Sequence, residues 1–151
     1  MKKSSRILKL FLAGIVAVGF TLTASNSFAG GEDKPEGKPW PCPDKNAKMT
    51  SPIKADANTL TTGKELWSLH CKSCHGKMGK GDGTKAESIE ITCGDFTSES
   101  FQKKSDGEIF WKTTEGRKPM PSFKQKLSEN ESWSVVLYMR TFAKKNETVQ
   151  R

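Results

Sequence analysis

The residues best suited to chemistry form a Cys-x-x-Cys-His motif at positions 71–75. Two thiols three residues apart on a helical turn can each form a thioether with one vinyl group of a porphyrin. The imidazole of His75 follows at once and is then placed beneath the iron as a ligand. The spacing therefore predicts one covalent haem, attached through Cys71 and Cys74, with His75 bound to the metal.

Three other interpretations of this motif stay open. A redox pair of the thioredoxin type would need strand-rich α/β surroundings, which this sequence lacks. A zinc site would draw on the cysteines at 42, 71, 74 and 93 and on a histidine, but a second paired-ligand motif is absent. A chance match in an exported chain is the third.

A methionine between two prolines is the candidate for the second iron ligand. The flanking prolines favour extended backbone around Met120, so no local helix competes for this residue. Its thioether sulfur can then reach the iron. Met78 lies too close to the motif in sequence, Met139 belongs to a helical apolar stripe and Met49 precedes the domain. The alternative role for Met120 is packing in the core.

The second histidine of the chain, His70, directly precedes Cys71. It belongs to the same predicted helix and cannot swing to the far side of a haem that His75 ligates. Iron ligation by two histidines of this chain is therefore not expected. We place His70 at the surface or at the haem edge.

Helices must position these residues. Thr61 or Thr62 is expected to cap a helix that leads into the cysteine motif. Ser105 and Ser128 each open a Ser-x-x-Glu sequence, which predicts a capping box at the start of a helix. In the second of these helices apolar residues recur at positions 135, 138, 139 and 142, the spacing of one helical face. No alternating pattern indicates strands, so the domain is predicted to be all-α.

The chain has 151 residues and divides into three predicted regions. Residues 1–29 combine a basic start, an apolar stretch and small residues at a cleavage site, as in a secretory signal peptide that exports the protein to the periplasm. A retained membrane anchor is the alternative, but the apolar run is shorter than the ~20 residues that a span needs. Residues 30–56 form a proline-rich tail, and residues 57–147 form the domain.

The tail holds five of the seven prolines, which favour extended backbone. A linker or a disordered tail is one interpretation, but Trp40 and Cys42 indicate that part of the tail lies against the domain. The formal net charge of the whole chain is +8, and without residues 1–29 it retains 21 basic and 17 acidic residues. No basic run is interleaved with aromatic residues, so nucleic acid is not an expected partner.

Three motifs in this order resemble the class I monohaem cytochromes c: residues 71–83, 118–123 and 132–139. The resemblance covers about residues 61–142. It implies that the first and last helices cross and that the helices wrap around one covalently bound haem. A small residue lies at the crossing in such proteins. Gly63 matches it, with Trp67 and Tyr138 as its aromatic partners.

The chain also departs from that family. Many members carry a proline in the loop after the haem motif, and its carbonyl accepts a hydrogen bond from the haem-ligating histidine. Here no proline occurs between positions 52 and 119. The sequence therefore leaves His75 without an identified hydrogen-bond partner.

Cys42 and Cys93 remain after haem attachment. Two spare cysteines in an oxidising compartment predict a disulfide. The bond would join the proline-rich tail to the loop that follows the haem motif. Free buried thiols, or a link to a partner protein, are the alternatives.

With His75 and Met120 both bound, the iron has no open position for a substrate. The leading hypothesis is therefore a periplasmic carrier of single electrons between redox partners, and not an enzyme, with no membrane span after signal cleavage. A dedicated subunit, or the electron acceptor, of one oxidoreductase complex is the second hypothesis. A haem-based sensor or ligand-binding protein from which Met120 dissociates is the third.

Lysines near the motif and the methionine loop are predicted to form a positive ring that steers acidic partners. The alternative is an ordinary solvated surface with interspersed acids. The lysines concerned are Lys72, Lys77, Lys80, Lys85, Lys118, Lys124 and Lys126.

Overall fold

The computed structural model describes residues 34–143, and these residues are helical with no β-strand. The predicted all-α class is confirmed. The signal peptide predicted at residues 1–29 lies outside the described residues. The helices are α1 Asp44–Ala47, α2 Ala57–His70, α3 Lys72–His75, α4 Glu99–Gln102, α5 Asp106–Glu115 and α6 Glu129–Arg140, with a 3-10 turn at Ala86–Ser88.

Helix α2 begins five or six residues earlier than the predicted cap at Thr61 or Thr62 implies. Asp56 caps it, because its side chain accepts a hydrogen bond from the backbone N–H of Thr59 at 2.8 Å. Thr61 lies inside the helix, where its hydroxyl donates to the carbonyl of Ala57 at 2.8 Å. The prediction of a threonine cap was wrong because Asp56, five residues before Thr61, accepts a hydrogen bond from one of the free N–H groups at an earlier helix start.

Helices α2 and α6 cross where Gly63 faces Ser134. A Cβ at Gly63 would overlap the carbonyl of Ser134 and would lie 2.8 Å from the Cβ of Tyr138. The two backbones can approach this closely only because position 63 has no side chain. The predicted helix crossing at Gly63 is thus present, and it brings the end of α2, with the cysteine motif, against the core.

Helix α6 begins with a complete capping box. The hydroxyl of Ser128 accepts from the N–H of Glu131, and the Glu131 carboxylate accepts from the N–H of Ser128 at 2.8 Å. Ser105 also caps α5, by accepting from the N–H of Glu108 at 3.1 Å. The Glu108 carboxylate does not return this bond. It lies 2.5 Å from the ammonium of Lys112 instead, so only half of the predicted box forms.

The aromatic core lies beside the helix crossing. Trp67 and Trp133 are buried, and Trp133 stacks on Phe110 with ring centroids 4.1 Å apart. Phe142 meets Trp67 edge to face at 5.0 Å. Within residues 34–143, no helix has the length and apolarity that crossing a membrane would require.

The described part of the tail packs on the domain. Helix α1 lies against the start of α5, where a Cβ at Gly107 would overlap the carbonyl of Asn46 and would lie 2.7 Å from the carbonyl of Met49. Trp40 contacts Trp111 with ring centroids 5.9 Å apart. Residues 34–56 are therefore held by contacts along their length.

Candidate functional site

The cysteine motif occupies the junction of α2 and the short helix α3. The N–H of Cys71 donates to the Trp67 carbonyl at 2.9 Å, and the N–H of His75 donates to the Cys71 carbonyl at 2.9 Å. These bonds continue the helical path, so both thiols and the imidazole lie on one consecutive turn and a half. Cys71 is buried, whereas Cys74 and His75 are half-buried.

Four residues predicted for the site line one cavity of about 780 Å³. Apolar side chains supply much of its remaining wall, including Trp67 and Phe123. The predicted site residues that the cavity brings together are Cys71, Cys74, His75 and Met120.

His75 has a defined orientation. Its Nδ1–H donates to the carbonyl of Cys93 at 2.7 Å, so Nε2 carries the lone pair. The ring lies between Trp67, at 5.9 Å between centroids, and Phe96, at 4.7 Å. A carbonyl that accepts from one ring nitrogen, and so fixes the tautomer that leaves the other nitrogen free, is typical of metal-ligating histidines.

The protonation of His75 suits ligation. Burial lowers the pKa of this imidazole, and the hydrogen bond to the Cys93 carbonyl opposes that effect only in part. A neutral imidazole is the form that binds a metal. Burial also raises the pKa of Cys71 to about 12, with Cys74 adding to the effect, so this thiol stays neutral near neutral pH.

The loop that supplies the Cys93 carbonyl is tied to the loop after the motif. Gly94 has a φ of +75°, which turns the chain immediately after Cys93. The N–H of Phe96 donates to the carbonyl of Gly79 at 2.6 Å, and a Cβ at Gly81 would lie 2.8 Å from the carbonyl of Gly94. A backbone turn around Gly94 therefore takes the place of the proline that this chain lacks.

Met120 lies in a tight turn that follows α5. Its N–H donates to the carbonyl of Arg117 at 2.8 Å, and the side chain is half-buried against the core. Gly116 ends α5 with a φ of +66° and leaves no room for a Cβ beside Pro121. The hydroxyl of Ser122 donates to the carbonyl of Thr114 at 2.6 Å, which folds the turn back on the helix.

His70 also lines the cavity. Its ring lies 5.8 Å from that of Phe123, three residues after Met120. His70 is thus at the cavity edge, one of the two places that the sequence predicts for it.

The disulfide predicted between Cys42 and Cys93 is not formed in the structure, where both are free thiols. The two have different electrostatic neighbours. Burial and Glu108 raise the pKa of Cys42, whereas burial and Cys74 raise that of Cys93. Cys42 belongs to the surroundings of α5, and Cys93 to those of the haem motif.

The donor set fits haem. A flat group can lie in an apolar cavity with two thiols at its wall, a neutral imidazole Nε2 available on one side and a methionine thioether at the same cavity. Among residues 34–143, no three His, Cys, Asp or Glu side chains are grouped to hold a metal ion, so the zinc alternative finds no ligand set there. The fold and the site together define a class I monohaem cytochrome c.

Comparison with known proteins agrees with this class. Residues 58–139 match the family described as "Cytochrome C oxidase, cbb3-type, subunit III". This match covers more than half of the chain. The chain belongs to this family of c-type cytochromes, which are electron-transfer proteins that carry haem c.

The solved structures similar to this chain include the following two. One is the Kuenenia stuttgartiensis reducing HAO-like protein complex Kustc0457/Kustc0458, with 30% identity and a TM-score of 0.57, covering 71% of this chain. This chain spans about half, 52%, of the matching chain of that complex. The other is the KustC0563 c-type cytochrome, with 33% identity, a TM-score of 0.48, and coverage of 54% of this chain and 98% of that one. No curated protein matches this chain.

The sequence predicted which side chains line the cavity but missed how two of its loops are held. The partner of His75 is a main-chain carbonyl, for which the only sequence signal is the glycine after Cys93. Arg117 and Lys34, which bind several carbonyl groups near the cavity, were not singled out. An arginine directly before the Lys-Pro-Met-Pro sequence was the available signal.

Proposed function

We propose that the protein is a periplasmic carrier of single electrons between redox partners, with one haem held by Cys71 and Cys74. His75 and Met120 are its iron ligands. One observation carries this proposal. The His75 Nδ1–H bonds the Cys93 carbonyl in a cavity that both thiols and Met120 also line. That arrangement leaves Nε2 for the metal and a second ligand from the same chain.

Each residue has a separate task in this function. When bound, haem supplies an iron that gains or loses one electron. The two cysteines hold the group by thioether bonds, and the Cys93 carbonyl keeps His75 in one tautomer and orientation. Trp67 and Phe96 flank that ring and limit its rotation.

Ligation by both His75 and Met120 would leave no iron position for a substrate. An iron with two protein ligands changes oxidation state with little movement of its surroundings, which favours outer-sphere transfer over catalysis. A thioether ligand also favours the reduced iron and raises the reduction potential. The proposed role is therefore that of a carrier and not of an enzyme.

Export supports the periplasmic location. Residues 1–29 have the three-part pattern of a secretory signal. Covalent attachment of haem through two thiols also suits a protein that is matured outside the cytoplasm. Localisation of the full-length chain by cell fractionation, with N-terminal sequencing of the mature protein, tests this part of the proposal.

A second candidate function is that of a dedicated subunit or electron acceptor of one oxidoreductase complex. It is favoured by the similarity to a chain of the reducing HAO-like complex, at 30% identity. Purification of the tagged protein from its native host tests the choice. Recovery of a stable large complex would favour the subunit role, and recovery of the isolated cytochrome would favour the shuttle.

The visible spectrum tests the haem site itself. We expect the mature protein, produced in a periplasm that attaches c-type haem, to keep its haem after denaturation. The oxidised form should show the weak far-red band of iron–methionine coordination. Covalent haem without that band, together with carbon monoxide binding to the reduced protein, would contradict the closed carrier and favour a sensor. Absence of covalent haem would overturn the proposal.

A further inference from the structure

Residues 34–40, which we call the strap, run along the cavity that holds the candidate iron ligands. Sequence patterns place them in a proline-rich tail, but they form part of the cavity wall. The strap residues that line the cavity are Glu36, Gly37 and Trp40.

One end of the strap is bound to the loop on the His75 side. The ammonium of Lys34 donates to three carbonyls, at 2.7, 2.7 and 2.8 Å. The N–H of Thr92 donates to the Pro35 carbonyl at 3.1 Å, one residue before the carbonyl that binds His75. The three carbonyls bound by the ammonium belong to Ala86, Glu87 and Ile89.

The other end is bound by Arg117, from the methionine turn. Its guanidinium donates to the carbonyls of Lys38 at 2.7 Å and Pro39 at 3.0 Å. The guanidinium carbon lies 4.7 Å from the ring centroid of Trp40, which adds a cation–π contact. The carbonyl of Arg117 accepts the Met120 N–H at 2.8 Å. One residue therefore holds both the strap and the methionine turn.

The middle of the strap fits closely against the same two loops. A Cβ at Gly37 would lie 3.1 Å from the Cδ1 of Ile91 and 3.6 Å from the Nη2 of Arg117. Trp40 also contacts Trp111, with the ammonium of Lys112 lying 5.7 Å from the Trp40 ring centroid. The strap is thus packed along its length between the loop of Cys93 and the turn of Met120.

We propose that the strap is a structural part of the haem site, and that Arg117 is its positioning residue. The strap holds the loop of Cys93, whose carbonyl orients His75, at a set separation from the turn of Met120, and it keeps water from that edge of the cavity. Water at this edge would stabilise the more highly charged oxidised iron, so its exclusion raises the reduction potential. This inference rests on the proposed function, because it requires haem in this cavity.

The test variant is Arg117→Lys in the haem-loaded mature protein. Lysine keeps the positive charge but lacks the planar fork that binds two carbonyls and stacks on Trp40. We expect the reduction potential to shift to more negative values and carbon monoxide to bind the reduced variant faster than the parent. Lys118→Gln is the charge control. It removes an exposed positive charge from the neighbouring position and should change carbon monoxide binding little.

Cleavage by a glutamate-specific protease reports on the strap directly, because Glu36 is its one glutamate. We expect faster cleavage after Glu36 in Arg117→Lys, and also in Lys34→Met, which removes the other anchor. Lys34→Met should shift the potential in the same direction. It provides a second measurement if the arginine variant folds poorly.

Two results would overturn the inference. One is a parent-like potential and carbon monoxide binding in Arg117→Lys. The other is faster cleavage after Glu36 with no change in the potential, since the strap would then be anchored as described but without effect on the haem. Either result counts against the inference only if the oxidised parent protein shows the far-red band of iron–methionine coordination. A parent without that band would instead contradict the proposed function.

Discussion

At the residue scale, His75 is held by a main-chain group, so the path of the backbone at position 93 matters more than its side chain. We expect Cys93→Ala to keep the parent spectrum and reduction potential, because the carbonyl that accepts from Nδ1 remains. Gly94→Ala is the matched variant. Its φ of +75° disfavours any side chain, so the loop should shift and the potential should change.

Visible spectra and potentiometric titration of both variants measure this difference. A changed potential in Cys93→Ala with a parent-like Gly94→Ala would contradict the assignment. It would show that the thiol of Cys93, rather than its carbonyl, supports the histidine.

Met120 and Met78 provide the second residue-scale comparison. Met120 lines the cavity, whereas Met78 is 51% exposed three residues after His75. Met120→Ala should remove the far-red band, lower the reduction potential and open an iron position to carbon monoxide. Met78→Ala should leave all three properties at parent values. Loss of the band in Met78→Ala but not in Met120→Ala would show that Met78, rather than Met120, binds the iron.

At the element scale, the crossing of α2 and α6 depends on the absence of a side chain at one position. Gly63→Ala would force its Cβ into the Ser134 carbonyl and the Tyr138 Cβ. Because both neighbours belong to α6, whose inner face is packed in the core, we expect a loss of about 1–3 kcal/mol in the free energy of unfolding.

Denaturant unfolding, followed by circular dichroism, measures the effect of Gly63→Ala. Ser68→Ala is the control, since Ser68 is exposed on the same helix. Alanine stabilises a helix relative to glycine by ~1 kcal/mol, and this gain opposes the expected clash. A more stable Gly63→Ala protein would therefore contradict the prediction, because α2 and α6 would then move apart to admit the Cβ without loss of stability.

The capping box of α6 gives an element-scale prediction with a pH dependence. Ser128→Ala removes the hydroxyl that accepts the Glu131 N–H and should cost about 1 kcal/mol. The backbone N–H and the hydroxyl of Ser128 also lower the pKa of the Glu131 carboxyl. A carboxyl with a lowered pKa in the folded state adds stability above its unfolded pKa, and that stability is lost as the pH falls through the folded value.

The stability of the parent protein should therefore decline below about pH 4, and Glu131→Gln should flatten that decline. Unfolding midpoints between pH 3 and pH 7 provide the measurement. An unchanged pH profile in Glu131→Gln would show that the carboxylate bond to the Ser128 N–H adds nothing.

These elements also show why part of the fold could be predicted from the sequence. Ser128 acts through a local rule of capping, so it was identifiable from residue type and spacing, whereas Gly63 was identified through the resemblance to the class I cytochromes c. The cap of α2 at Asp56 was missed because five residues of the types that cap helices lie within positions 56–62. Glu108 left its predicted box because Lys112, one turn later, offers a charged partner.

In the candidate site, too, the residues in local sequence motifs could be predicted, whereas the contacts between distant residues could not. Cys71, Cys74 and His75 follow from a contiguous motif, and Met120 from its flanking prolines. The Cys93 carbonyl and the anchors of the strap join residues that are distant in sequence. Lys38 and Arg117, for example, are 79 positions apart. Bonds to main-chain carbonyls require no particular acceptor side chain, so no residue pattern reports them.

At the scale of the whole molecule, charge is the property that concerns partners. The seven lysines near the haem motif and the methionine turn are all exposed, and Lys124 lies 3.1 Å from the Glu115 carboxylate. Electrostatic attraction between exposed charges falls with salt, because the Debye length is ~8 Å at physiological ionic strength. If these lysines act as a ring, electron transfer with an anionic reagent should slow as salt is added.

Two charge-reversal variants distinguish the effect of a local ring of lysines from the effect of the net charge. Lys77→Glu lies two residues after His75, whereas Lys48→Glu follows α1 and makes the same change in net charge. In stopped-flow reduction by an anionic complex at low salt, Lys77→Glu should be slower than Lys48→Glu, and the two rates should converge at high salt. With a cationic reductant the order should reverse. Equal rates at low salt would mean that net charge alone guides the encounter, and the lysines would then be an ordinary solvated surface.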